Sequence, residues 1–408
     1  MDLRKDAFKI IEKTIESCLP NNAVKKALQK IDLNYKRIYL VAIGKAAYSM
    51  AEACEEILSD KLTKGIVITK YGHVKGILKN IDAYEAGHPI SDENTFLATQ
   101  KVLDMVKDLT KDDLVLFLVS GGGSALFEDP LIDPDTLKDV NRQLLESGAS
   151  ITEINTIRKR LSKVKGGKFA LLCSPAHIES IILSDIIGDP LDMIASGPAY
   201  PDSATSKDAL EIVEKYSLDL DEYTLKYLKE ETPKDIANVN NIVTGSVREL
   251  CLNASDLAGS LGYDPIILTD TLDCEARHAG AFMASIAKTY RDKGPKAFVF
   301  GGETVVTITG PGLGGRNQEI ALSAAEKIAG LDNIVIFSVG SDGTDGPTDA
   351  AGGIVDGSTC KKLSEKGLKI YEVLKDNDSY HALKMVDGLV MTGSTGTNVN
   401  DFSVVLIK

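Results

Sequence analysis

The chain has 408 residues, of which 43% are hydrophobic and 26% charged, and its formal net charge is −13. That balance excludes a disordered chain, and the length exceeds one ordinary core, so two domains are expected. The acidic total argues against a nucleic-acid coat or a lipid-surface anchor, both of which need basic faces, so any anionic substrate must be met by local Lys and Arg.

The N-terminal stretch MDLRKDAFKIIEKTIESCL carries acids through its apolar residues and reads as an amphipathic helix, not a signal peptide. No apolar run approaches the roughly 20 residues that a bilayer span needs. Cysteines at 18, 54, 173, 251, 274 and 360 lack any CxxC spacing, so neither a zinc site nor a redox pair is expected, and scattered thiols suit a reducing compartment. These features point to a soluble, cytoplasmic protein.

In chain order, short runs rich in Val, Ile and Leu predict strands at 37–43, 65–70, 113–120 and 179–185. Helical patterns at 46–58 and 91–109 separate them, the second opening on a Ser–Asp cap. The later half predicts strands at 241–245, 264–270, 296–302, 304–309, 333–340, 388–393 and 402–407, with 304–309 as an antiparallel excursion after a Gly-Gly turn. Strands alternating with helices of this length predict an α/β fold with a mostly parallel sheet. The polar stretch 228–241 contains Pro233 and no buried run, which places a domain boundary near residue 236.

Small and charged residues gather just after the strands, where open α/β sheets bind ligands. Gly44-Lys45 follows the first strand. A Lys at a helix start opposes the helix dipole unless an anion docks there. Ser120, Gly121, Gly122, Gly123 and Ser124 follow the most apolar strand, and consecutive glycines suit close approach of backbone amides to phosphate oxygens. The GxxxxGK[ST] phosphate loop is absent. Arg158, Lys159, Arg160, Lys163, Lys165 and Lys168 form the most basic segment, expected to be a solvated helix face with one or two bases available to an anionic substrate. Asp185 and Asp189 flank a glycine turn after a strand and suit magnesium.

Gly310, Gly312 and Gly315 satisfy GxGxxG, yet the preceding strand alternates and no acid ends the next one, so a dinucleotide site is disfavoured. Arg316, at the start of the following helix, again suggests an anion. The segment 338–353 looks like a calcium loop, but the ligand spacing fails and no Glu closes it. Thr395, Thr397, Asn398 and Asp401 offer hydrogen bonds to a phosphate or hydroxy acid. His73 and His88 could do acid–base chemistry, although neither has an identifiable partner in the sequence.

Taken together, GKAAYSM, AGHPISD, VSGGGSALFEDP, GASITEINTIRKRLSKVKGGKFA, SDIIGDPLDMIASGPAYPD, GGETVVTITGPGLGGRNQEIAL, GSDGTDGPTDAAGG and TGSTGTNVNDF resemble the glycerate kinase family with a C-terminal MOFRL domain. They occur in order across nearly the whole chain. The departures are an Ile in SDIIGD where relatives often have Val, and Ser394 where Pro is common. The resemblance implies a larger Rossmann-like domain over 1–236, a smaller α/β MOFRL-type domain over 237–408, and an active site in the cleft between them. It implies phosphorylation of D-glycerate by ATP with Mg2+ or another divalent cation, and for archaeal and thermophilic relatives the product is 2-phosphoglycerate. The family's catalytic Lys and Arg map to Lys45 and Arg316.

The expected reaction is in-line transfer of the γ-phosphoryl group to the 2-hydroxyl of glycerate, which asks mainly for positioning and charge neutralisation. Lys45 and Arg316 are assigned to the transferring group and the substrate carboxylate, with Arg158 as a further substrate contact. The Ser120–Ser124 loop, Asp342, Thr395, Thr397 and Asn398 are assigned to nucleotide and phosphate. Asp185 and Asp189 are assigned to the metal, Asp185 also to polarising the hydroxyl, with Glu303 as a third ligand. Partners are limited to small molecules, without nucleic acid or membrane, and a homodimer is left open. The competing readings are a nicotinamide-dependent hydroxypyruvate reductase and a non-catalytic sensor of sugar acids or nucleotides.

Overall fold

In the computed structural model, which describes residues 2–408, the chain forms two compact units. The first comprises Val24–Leu183 and Asp189–Thr244. The second comprises the residues up to 23, Ser184–Gly188 and Gly245–Lys408. A single cut at 236 therefore does not describe them, because the opening helix Leu3–Ser17 belongs with the C-terminal sequence. Asp2 caps that helix by accepting from the Lys5 amide at 3.2 Å. Its apolar face, Leu3, Ala7, Ile10, Ile11 and Ile15, is buried with Leu250, Ala254, Phe337 and Phe402.

The first unit holds a six-stranded sheet: β1 (Arg37–Ile43), β2 (Leu62–Lys70), β3 (Ile81–Ala86), β4 (Asp113–Val119), β5 (His177–Leu183) and β6 (Val239–Gly245), in the order β3-β2-β1-β4-β5-β6. The pairings within β3-β2-β1-β4-β5 are all parallel. All seven residues of β4 are buried, which is why its sequence shows no alternation. The order reverses direction between β1 and β4, so their carboxyl ends flank the switch point at which such sheets bind ligands. Gly44-Lys45 and the Ser120–Ser124 loop are what emerges there. The strand β3, with its polar IDAYEA sequence, was not expected.

The second unit holds β7 (Asp264–Leu272), β8 (Lys296–Gly302), β9 (Ile334–Gly340), β10 (Gly352–Asp356), β11 (Leu389–Val390) and β12 (Asp401–Ile407), in the order β11-β10-β9-β12-β8-β7. This sheet is mixed. The pair β7–β8 is parallel, whereas β12 runs antiparallel to β8 and β9, and β10 antiparallel to β9 and β11. The expected strand at 304–309 joins neither ladder. It makes only an isolated parallel bridge, Val305 to Glu275. Gly302 turns the chain away at φ 155°, and a Cβ there would lie 2.1 Å from the Leu272 carbonyl oxygen.

The basic segment is the largest departure from expectation. Lys159, Arg160 and Lys165 are buried, not solvated. Asp202, itself buried, receives Lys159 Nζ at 3.0 Å, Arg160 Nη1 at 3.5 Å and the Thr232 hydroxyl at 2.7 Å. Lys165 Nζ pairs with Glu128 at 3.0 Å and donates to the Phe127 carbonyl at 2.7 Å. Burial pulls the Lys165 ammonium down to about 8. Lys168 Nζ donates to the carbonyls of Lys159, Arg160 and Ser162. These cations tie helix to loop inside the unit.

Removing one member of such a buried group leaves the others uncompensated. Asp202→Ala should destabilise the protein by about 3–5 kcal/mol in denaturant-induced unfolding. A cost of under about 1 kcal/mol, the range of exposed ion pairs, would show that the network carries no such weight.

Candidate functional site

At the carboxyl ends of β1 and β4 the backbone itself builds the first unit's site. Gly44 adopts φ 113°, and a Cβ on it would lie 2.3 Å from Ser120 Oγ. The Ser120 hydroxyl donates to the Ile43 carbonyl at 3.2 Å and accepts from the Ala46 amide at 3.1 Å. In this structure that hydroxyl ties the two strand ends together. The Lys45 amide donates to the Gly121 carbonyl at 2.9 Å, locking the two loops together. The Lys45 side chain is exposed and its Nζ has no partner among the described residues. The helix Ala47–Leu58 begins two residues later.

Gly122 has φ 86°, and a Cβ there would meet the His88 ring at 2.9 Å and Lys45 Cγ at 3.3 Å. The amides of Gly121 and Gly122 make no hydrogen bond among the described residues. Gly123 is packed under Ala195. The Ser124 hydroxyl accepts from Ser196 at 3.0 Å, and Arg158 Nη2 donates to the Ser124 carbonyl at 3.2 Å. Arg158 thus braces the loop, while its Nε is buried without a hydrogen-bond partner.

Two histidines with no identifiable partner in the sequence join this group. His73 Nδ1 lies 2.8 Å from the Lys45 carbonyl oxygen. Burial, and then the charges of Lys45, Lys70 and His73, hold His88 below the usual histidine range, which favours its neutral ring. Free amides, an unpaired ammonium and a neutral imidazole are therefore gathered at one strand end. The signal that could have found His88 and Lys70 is positional, since both close the segments that follow β3 and end β2, beside the same switch point.

In the second unit Arg316 opens the helix Arg316–Lys327. Its Nη1 meets Glu303 at 3.0 Å, and its Nε and Nη2 donate to the two Asp401 oxygens at 2.5 and 3.1 Å. Burial works against its charge, but the Asp401 hydrogen bonds and the charges of Asp401 and Glu303 more than reverse that, raising it above the usual arginine value. Carboxylates, and not only an incoming anion, account for a cation at this helix start. Asp345 caps the same helix by accepting from the Asn317 amide at 3.1 Å and the Gln318 amide at 2.9 Å. Gly315 is required there, because a Cβ would lie 2.3 Å from the Asp345 carboxyl carbon. Burial pushes Asp345 up to about 6, with the two amides pulling the other way.

Several assigned residues do structural work. The Thr397 hydroxyl donates to the Cys18 carbonyl at 3.1 Å and the Thr395 hydroxyl to the Ser341 carbonyl at 2.6 Å. Asp342 accepts from the Thr344 amide at 2.9 Å, and Asn398, which is exposed, accepts from the Asn400 amide at 3.4 Å. In the GxGxxG match, Gly310 and Gly312 pack against Asp376 and Asp378, leaving no cradle for a pyrophosphate.

The expected metal ligands do not form a ready cage. Asn400 Nδ2 donates both to the Asp185 carbonyl at 3.1 Å and to Glu303 Oε2 at 3.0 Å. Arg316 meets the other Glu303 oxygen at 3.0 Å, and the Glu303 side chain stays partly open to solvent. Asp189 belongs to the first unit, with φ 51° and a buried Oδ1 lacking a hydrogen-bond partner. Among the described residues no three His, Cys, Asp or Glu side chains are grouped to hold a metal ion.

Comparison with known proteins bears on this arrangement. A domain of unknown function, DUF4147, matches residues 6–229, and the MOFRL family matches residues 296–401. A D-glycerate 2-kinase of Thermotoga maritima is 52% identical over 99% of this chain and 98% of its own length. The chain belongs to the glycerate kinase family. A crystal structure of a glycerate kinase from the same organism superimposes with a TM-score of 0.95, covering 100% of this chain and 99% of that one. A Pyrococcus horikoshii glycerate 2-kinase is 43% identical over 100% of this chain and 98% of its own length. A putative hydroxypyruvate reductase of Agrobacterium vitis is 40% identical over 91% of this chain and 87% of its own length.

Within this glycerate kinase fold, Asp345 has a clear pH signature. Its folded value lies above the ordinary 3.8, so the folded state holds the proton more tightly. Its contribution to stability is complete below about pH 4 and is lost as pH rises through about 6. Unfolding free energies of wild type and Asp345→Asn, measured from pH 4 to 7, should diverge in favour of wild type as pH falls through that window. Parallel curves would remove Asp345 as the titrating group.

Proposed function

We propose that this chain transfers the γ-phosphoryl group of ATP to the 2-hydroxyl of D-glycerate, giving 2-phosphoglycerate and ADP. The observation that carries this reading is the cluster at the β1 and β4 ends, where Lys45 Nζ and the Gly121 and Gly122 amides have no partner among the described residues of an acidic chain. Such a group is suited to an anion that gains charge in flight. The full-length likeness to D-glycerate 2-kinases supplies the reaction class.

In this reading the hydroxyl oxygen attacks the γ-phosphorus and the bond to the β,γ-bridging oxygen breaks. Neutral His88, beside Lys45, accepts the hydroxyl proton, and Lys45 meets the charge of the transferring group. Mg2+ or a similar ion accompanies the nucleotide as part of the substrate. Arg316 acts as a bidentate anion contact only if ligand binding redistributes its bonds to Glu303 and Asp401. No helix among the described residues is long and apolar enough to cross a membrane, and we place the reaction in the cytoplasm.

Incubation with ATP, magnesium and D-glycerate, followed by phosphorus NMR, should show 2-phosphoglycerate. Hydroxypyruvate-dependent NADH oxidation faster than phosphoryl transfer would instead favour the reductase. Lys45→Ala should lower kcat by about 10²–10³, the cost of one lost charge-stabilising donor, with an unchanged melting temperature. Near-normal turnover would remove Lys45 from the chemistry.

A further inference from the structure

The segment 303–309 leaves β8 and has the amides of its odd-numbered residues bonded on one side. The Glu303 amide donates to the Leu272 carbonyl at 2.8 Å and the Val305 amide to the Cys274 carbonyl at 3.2 Å. Thr307 donates to Glu275 at 3.1 Å and Thr309 to Asn377 at 2.7 Å. The alternate residues, Thr304, Val306 and Ile308, have neither amide nor carbonyl bonded among the described residues. Those three residues line a cavity of about 610 Å³ that also reaches Arg316. Thr304 is 4% exposed, and its hydroxyl is buried without a hydrogen-bond partner. Beside this polar edge stand apolar side chains open to solvent, Val305 at 57% and Ile308 at 82% exposure, with Pro347 also lining the cavity.

A free row of alternating N–H and C=O groups between apolar walls is what the edge and faces of a purine require. A three-carbon acid has neither the bulk nor the flat apolar faces to use such a cavity. The first unit has a cavity of similar size, about 600 Å³, but it is walled largely by the helices Glu93–Val106, Pro134–Glu146 and Ile151–Arg160, whose backbone groups are engaged in their own turns. It offers no comparable edge.

We infer that the cavity beside Thr304, Val306 and Ile308 holds the purine base of the nucleotide substrate, with the backbone edge reading the base and the phosphates directed toward Arg316. This rests on the kinase reading for the identity of the nucleotide. The unmet Thr304 hydroxyl supplies one further hydrogen bond.

Calorimetric titration of ATP with excess magnesium tests the site without requiring turnover. Ile308→Glu places a charge against the base at a position already exposed, and Thr304→Val removes the hydroxyl while keeping its shape. Ile308→Glu should weaken ATP binding by about tenfold or more and Thr304→Val by a few-fold. Binding of inorganic tripolyphosphate, which has no base, should stay within about twofold in both. Unchanged ATP affinity in both variants, or equal losses for ATP and tripolyphosphate, would overturn the base site. If the variants behave as expected and phosphorus NMR shows no transfer to glycerate, the base site stands and the glycerate reading alone fails.

Discussion

At Gly44 the fold depends on a missing side chain. Its α-carbon lies so close to Ser120 that a Cβ would meet the Ser120 hydroxyl at 2.3 Å and the Ser120 carbonyl oxygen at 2.4 Å. Because nothing fills that space, the chain leaving β1 and the chain leaving β4 can exchange hydrogen bonds directly. The Ser120 hydroxyl bridges Ile43 and Ala46, and the Lys45 amide reaches Gly121. The central sheet can then present Lys45 and two glycine amides without a partner among the described residues from a rigid base.

The second unit solves a different electrostatic problem. Arg316 stands at a helix start, where the dipole disfavours it, and is held there by Asp401 and Glu303 while Asp345 caps the helix. Four ionisable groups in such proximity make the local charge sensitive to ligand and proton alike. The raised value of Asp345 and the raised value of Asp401 have the same origin, which is burial, and differ in what offsets it, amides for one and the guanidinium for the other.

The basic segment shows how composition can mislead about location. Six cations within eleven residues read as a solvated face, because an isolated charge is costly to bury. The cost vanishes as an objection only once the partners are known, and those partners lie far along the chain: Asp202, itself held by the Thr232 hydroxyl, for Lys159 and Arg160, and Glu128 for Lys165. Arg158 alone of the segment turns to the glycine loop, as a brace on Ser124.

The buried strands were legible from the sequence because β1, β4, β8, β9 and β12 are short runs dominated by Val, Ile, Leu and Phe, as strands covered on both faces are. The strand-end position of Lys45 and the glycine loop was legible for the same reason, and so, from the ordered motifs, was the family. The polar strand β3 was not, nor was the reversal that makes the second sheet mixed, because strand direction is set by where connections return and leaves no mark in local periodicity. Tertiary structure alone decided which hydroxyls are ties and which groups are left unmet. Ser120 and Thr397 gain protein partners that the sequence could not show, and His88 reads as solitary until Gly122 and Lys45 stand beside it. A side chain's chemistry is written in the sequence, but its availability depends on what the fold has already bonded to it.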